Sequence, residues 1–136
     1  MPRGDEDTIR RVLGYGTWAV VGLTGNRARP AYGVARFLQR QGRKVVPINP
    51  RGEPVLGAEG YRSLAEVPFG VDVVDIFRRK DHAGAHVDEA VAAGARAVWL
   101  QLGVIDEEAA DRAAAAGLDV IMDHCPAIEW PRLGPA

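Results

Sequence analysis

Short unbroken apolar runs alternate along this chain with segments in which apolar residues return every third or fourth position. The runs Trp18–Val21, Lys44–Ile48, Val71–Phe77, Ala97–Gln101 and Asp119–Met122 have the length of strands. Stretches such as Ala-Val-Val, Val-Asp-Val-Val-Asp-Ile and Ala-Val-Trp-Leu lack strict polar–apolar alternation, which suits strands covered on both faces. Helical spacing predicts a first helix over Asp5–Leu13, with Asp5 or Asp7 as cap and Ile9, Val12 and Leu13 as its apolar face. Pro30 at a first-turn position starts a helix over Ala31–Gln41, striped by Val34, Phe37 and Leu38 and ended by Gly42. A further helix opens at Asp81 or His82 and runs to Gly94, and Asp106 caps one through Ala116 that Gly117 stops.

The remaining segments read as connections. Arg51 to Gly60 is rich in Gly and Pro and forms a loop. Ser63 begins a short helix, with Glu66 three residues on as a capping box and Pro68 closing it. After the fifth strand a proline-bearing tail, about 126–136, holds Pro126, Pro131 and Pro135, and Ile128, Trp130 and Leu133 pin it to the sheet.

Five strands alternating with helices at crossover spacing predict the α/β class. The expected architecture is a single Rossmann-like, doubly wound, parallel five-stranded sheet over residues 1–136, ordered 3-2-1-4-5 with helices on both faces. Ligands of such sheets bind beyond the carboxyl ends of the strands. That rule selects the loops Gly22–Arg29, Asn49–Gly52, Phe77–Lys80, Gln101–Val104 and Asp123–Pro126.

Composition narrows the class of ligand. At 136 residues, 47% hydrophobic and 26% charged, the chain is long enough for one core without disulfides or metals. A net charge of −1 gives no general basic field for nucleic acid or a membrane surface. The 15 arginines against two lysines, with many alanines, are read as coding bias. The single cysteine, Cys125, excludes an internal disulfide, and a charged start from Met1 to Arg11 does not resemble a secretory segment. A cytoplasmic location is expected.

The segment Thr17–Gly33 carries the sharpest chemical signal. A buried strand ends at Gly22-Leu23-Thr24-Gly25, two arginines follow (Arg27 and Arg29), and Pro30 opens a helix. Glycines at 22 and 25 let the backbone approach a ligand, the helix's first-turn N–H groups add partial positive charge, and the arginines add full charge. This is a phosphate-binding design. A nicotinamide dinucleotide is disfavoured. The turn is Gly22-x-x-Gly25 rather than G-x-G-x-x-G, and strand two ends in Ile48-Asn49-Pro50 with no carboxylate for a ribose. No Gly-Lys-Ser/Thr follows to make a P-loop.

Four motifs then fall in order at strand ends: Val21-Gly-Leu-Thr-Gly25, Val46-Pro-Ile-Asn-Pro50, Trp99-Leu-Gln-Leu-Gly103, and Asp123-His-Cys-Pro-Ala-Ile-Glu-Trp-Pro-Arg132. With them the chain resembles, over about Thr8 to Leu133, the stand-alone bacterial CoA-binding domain family. That family is similar to the N-terminal domain of the succinyl-CoA synthetase alpha subunit. The resemblance implies that Thr24, Gly25, Asn26 and Arg27, after Gly22, receive CoA phosphates. It implies that Asn49 and Pro50 form the strand-two turn, where Arg51 stands in for a lysine of the synthetase. It also implies that Leu100-Gln101 lies on the pantetheine side. Typical members carry Arg where His124 stands here. The synthetase's phosphorylated histidine belongs to a domain that this chain does not match.

Other residues have plainer readings beside the functional ones. Arg78-Arg79-Lys80 reads either as a solvated loop or as further phosphate donors, and Phe77 either as core or as a surface for adenine. His82 and His86 share a helix face but lack an evident third metal ligand. Asp123, His124 and Cys125 are adjacent, which gives no triad geometry and fits a tight turn braced by Pro126. A mixed disulfide of Cys125 with the CoA thiol, formed under oxidising stress, is a sharper alternative. The expected function is binding of coenzyme A or an acyl-CoA by a carrier, sensor or partner module without catalysis of its own. An acyl-CoA-processing enzyme completed by a partner chain is the first alternative, and an NAD(P)-dependent oxidoreductase the second.

Overall fold

The computed structural model describes residues 4–135, so residues 1–3 and 136 of the expected domain lie outside it. The elements run α1 (Glu6–Leu13), β1 (Thr17–Val21), α2 (Pro30–Arg40), β2 (Lys44–Ile48), a 3-10 turn (Leu64–Glu66), β3 (Val73–Ile76), α3 (Lys80–Ala92), β4 (Ala97–Leu100), α4 (Glu107–Ala115), β5 (Asp119–Ile121) and α5 (Pro126–Leu133). Asp5 caps α1 by accepting from the Thr8 N–H, and Asp106 caps α4 by accepting from the Ala109 N–H. The expected Ser63–Glu66 capping box does not form. Ser63 makes no side-chain cap bond, and the Glu66 carboxylate accepts instead from the Arg62 N–H. One 3-10 turn is too short to present both partners of the box.

All five strands are parallel, in the order β2-β1-β3-β4-β5. The α/β doubly wound class is as the sequence predicts, but β3 lies between β1 and β4 rather than outside β2. The Gly- and Pro-rich connection explains the difference. Tyr61 occupies the outer side of β2, donating its N–H to the Pro47 carbonyl and accepting from the Asn49 N–H. The chain then crosses to the other face, burying Leu64 and Val71 there, before β3 enters beside β1.

The two faces have separate cores. On one, Ile9, Val12 and Leu13 of α1, Val34, Ala35 and Leu38 of α2, and Leu133 of α5 cover Trp18, Val20, Val73, Trp99 and Ile121. On the other, the small residues Ala83, Val87 and Ala90 of α3 and Ala109, Ala110 and Ala113 of α4 lie close on Ala19, Val74, Ile76, Val98 and Leu100. Leftward β1–α2–β2 and rightward β3–α3–β4–α4–β5 connections on opposite faces follow from right-handed crossovers.

The proline-bearing tail folds as α5. Pro126 stands at its start, where the missing N–H is harmless, and Pro131 lies within the helix. Leu133 is buried and Trp130 packs edge-on against Phe37 and under the Arg43 guanidinium. Ile128, expected to pin this segment, is 62% exposed.

Candidate functional site

The order in which strands are added reverses between β1 and β3, which makes their carboxyl ends the switch point where sheets of this order bind ligands. Gly22 follows β1 there with φ +92°, and a Cβ on it would lie 2.6 Å from the Phe77 carbonyl oxygen. Only glycine lets the two strand ends diverge at this spacing. Leu23 is fully buried and anchors the loop that follows. Thr24 Oγ1 accepts from the Asn26 N–H, and Asn26 Oδ1 accepts from the Ala28 N–H, so the loop is shaped by its own side chains.

A cavity of about 410 Å³ opens at this switch point. Its walls are Gly22, the α2 start (Arg29, Pro30, Ala31), the β3 end (Phe77, Arg78, Arg79) and the β4 end (Gln101, Leu102, Val104). Arg29 and Arg79 are the N-cap residues of α2 and α3, and neither helix has a side-chain cap there. Three arginines and the uncapped start of α2 therefore line one opening, an arrangement suited to a phosphorylated anion. Phe77, Leu102 and Val104 add apolar lining, and Leu102 is 57% exposed.

Beside it a smaller cavity of about 280 Å³ is lined by Thr24, Asn49, Pro50, Arg51 and Glu53. Asn49 is buried and its amide is engaged within the chain. Nδ2 donates to the Leu23 and Glu53 carbonyls, and Oδ1 accepts from the Glu53 N–H at 2.8 Å. It clamps the β1 and β2 loops together. The Glu53 carboxylate reaches the Gly25 N–H at 3.5 Å.

The expected site residues thus sort into three places. Gly22, Phe77, Arg78 and Gln101 meet at the larger cavity, and Thr24, Asn49, Pro50 and Arg51 at the smaller. Gly25, Asn26 and Arg27 are exposed on the loop outside both, with the Arg27 guanidinium 5.7 Å from the Tyr32 ring centroid. No atom lies within 4 Å of a Cβ built on Gly25, so intramolecular packing does not demand a glycine there.

Sequence reasoning selected the loop Gln101–Val104 without singling out Leu102 or Val104, and it missed Glu53 and Asp75. Asp75 was visible as an acid inside an apolar strand, Val-Val-Asp-Ile. It is fully buried one residue pair below the cavity edge, and its Oδ1 accepts from Gln101 Nε2 at 2.5 Å. Loss of water pushes its carboxyl up to about 8, against the smaller opposing effect of the Gln101 bond.

His86, Asp123 and His124 have structural partners. His86 Nδ1 lies 2.6 Å from Glu89 Oε1, and its Nε2 lies 3.4 Å from the Arg78 guanidinium. Asp123 has φ +64° and accepts from the Gly103 N–H, while the His124 carbonyl accepts from Trp99 Nε1. Cys125 is partly buried at the start of α5, against the α1–α2–α5 core, and is not among the residues lining either cavity. Among the described residues no helix is long and apolar enough to cross a membrane.

Known proteins resemble this chain in sequence and in fold. The YneT protein of Bacillus subtilis is 34% identical over 107 residues, 79% of each chain. A solved Pyrococcus horikoshii protein superposes with a TM-score of 0.90 at 34% identity, covering 96% of this chain and 92% of that one. The alpha subunit of acetate–CoA ligase (ADP-forming) II from Pyrococcus furiosus is 39% identical over 59 residues, 43% of this chain but 13% of the subunit. The family profile described as a CoA binding domain matches residues 16–131, from the turn before β1 into α5. With the profile spanning every strand and both cavities, this chain belongs to the CoA binding domain family.

Proposed function

We propose that the chain binds coenzyme A or an acyl-CoA at the carboxyl edge of the sheet, as a carrier, sensor or partner module without catalysis of its own. The observation that carries this reading is the convergence of Arg29, Arg78 and Arg79 with the uncapped start of α2 around one cavity at the switch point. The diphosphate is assigned to that opening. The ribose phosphate is assigned to Arg51 in the neighbouring cavity, so that CoA spans the two. A volume of about 410 Å³ holds one end of such a molecule and leaves the rest along the surface. Family membership and the partial match to an acetate–CoA ligase subunit support the same ligand class.

The test is calorimetric titration of the purified protein with CoA, acetyl-CoA, NAD, NADP and ATP, backed by thermal shifts. Ligand at a hundred times its dissociation constant adds about 2.7 kcal/mol of stability. Saturable binding of CoA species with the others silent is the expected result. Binding of NAD alone, or of none of the five, overturns the reading.

A further inference from the structure

Asp75 is out of place by packing alone. Its register partners are Val20 on β1 and Trp99 on β4, both fully buried and apolar, and a Val or Leu would fill the position without desolvating a carboxyl. Its Oδ2 is buried and has no hydrogen-bond partner, while Oδ1 is engaged by Gln101 Nε2. Gln101 itself is 8% exposed and lines the larger cavity. The pair therefore links the interior of the sheet to the floor of the site.

We propose that Asp75 is a positioning residue for ligand recognition: it holds the Gln101 carboxamide from below by Nε2, which assigns Oε1 to the cavity as an acceptor for a hydrogen-bond donor on the bound molecule. The inference rests on the larger cavity being the CoA site. CoA offers such donors in its amide N–H groups and thiol. The hold works with Asp75 neutral, its proton on the unpartnered Oδ2, the form that burial favours. Ionising it would place a negative charge beneath a site built for an anion, so binding weakens as the proton leaves.

The surrounding charges do not supply another explanation. Arg29, Arg78 and Arg79 stand at the cavity mouth, and His124, Cys125 and Glu129 stand at the start of α5 on the same face. From α1, Arg11 is engaged by Asp119. Among the described residues none of these makes an ion pair with Asp75, and burial dominates its shift.

The experiment titrates CoA into the wild type, Asp75→Asn, Asp75→Val and Gln101→Ala between pH 6 and 9.5. In parallel it follows the Gln101 side-chain amide by NMR without ligand. Wild-type affinity is expected to fall at least fivefold from pH 7 to 9, with Asp75→Asn holding its affinity across that range. Asp75→Val is expected to lose about tenfold at pH 7 while keeping its melting temperature, and to add little further loss when combined with Gln101→Ala. The Gln101 amide signals of the wild type should shift with a midpoint that Asp75→Asn abolishes. Full affinity in Asp75→Val, or the wild-type pH profile in Asp75→Asn, overturns the proposal. If CoA does not bind at any pH, the ligand reading fails, and the amide titration alone decides whether Asp75 governs Gln101. Amide signals that ignore Asp75→Asn then overturn it.

Discussion

Gly22 and Phe77 approach so closely that a single methyl group on Gly22 would press to 2.6 Å from the Phe77 carbonyl oxygen. The contact sets the gap between the ends of β1 and β3, and the larger cavity opens from that gap. Gly22→Ala combines a left-handed backbone with an overpacked contact. It should cost about 2–4 kcal/mol, or roughly 10 °C in thermal midpoint. A midpoint within 2 °C of the wild type would show that the strand ends yield freely.

The arginines divide into those at the cavity and one outside it. Arg29→Ala and Arg78→Ala should each weaken CoA about tenfold, since each removes a charge-assisted contact of roughly 1.5–3 kcal/mol. Arg27→Ala, which strips a side chain packed over Tyr32, should change affinity less than threefold. Calorimetry of the three variants at one ionic strength checks the ranking. A larger loss at Arg27 than at Arg29 would move the phosphates out to the exposed loop.

Glu53 places a carboxylate on the Gly25 N–H, where the loop's donor would otherwise be offered to a ligand anion. Neutralising it should favour binding. Glu53→Gln is expected to bind CoA two- to fivefold more tightly, most clearly at low salt where charge repulsion is least screened. Unchanged affinity would mean that the ligand never comes near Gly25.

Asp75 gives the fold a pH dependence of defined sign. In the unfolded chain its proton leaves near the ordinary value of about 4, whereas the folded chain keeps it up to about 8. Between those values the folded state binds more protons. The stability contributed by the neutral acid is therefore complete below pH 4, lost progressively as pH rises to 8, and level above. Asp75→Asn does not titrate. Thermal midpoints of the two proteins should diverge in favour of the variant by roughly 5 °C or more between pH 4 and 8. Parallel curves would place the Asp75 titration outside that window.

The strands were legible because both faces of a parallel sheet are buried, which leaves apolar runs such as Trp18–Val21 and Ala97–Leu100 unmistakable. The loops of the site were legible for a related reason, since the carboxyl ends of strands are fixed once the strands are. The seat of β3 was not, because it depends on how residues 51–71 travel and on Tyr61 taking the place beside β2. The last helix was hidden by its own prolines: Pro126 costs nothing at the first position, but Pro131 lies inside the helix, where sequence reasoning expects a break. Asp75 and Gln101 are 26 residues apart in sequence. Only the neighbouring register of β3 and β4 reveals them as a pair.

The rim of the sheet bears on how the protein behaves in a crowded solution. Beyond β2, Pro47 has no N–H to offer, and its carbonyl is already taken by Tyr61. At the far side β5 is three residues long. Each margin therefore offers a foreign strand little on which to grow, β2 because Tyr61 and Pro47 interrupt it and β5 because it is short. The chain is thereby guarded against edge-to-edge polymerisation without spending a charged residue inside either strand's core-facing positions.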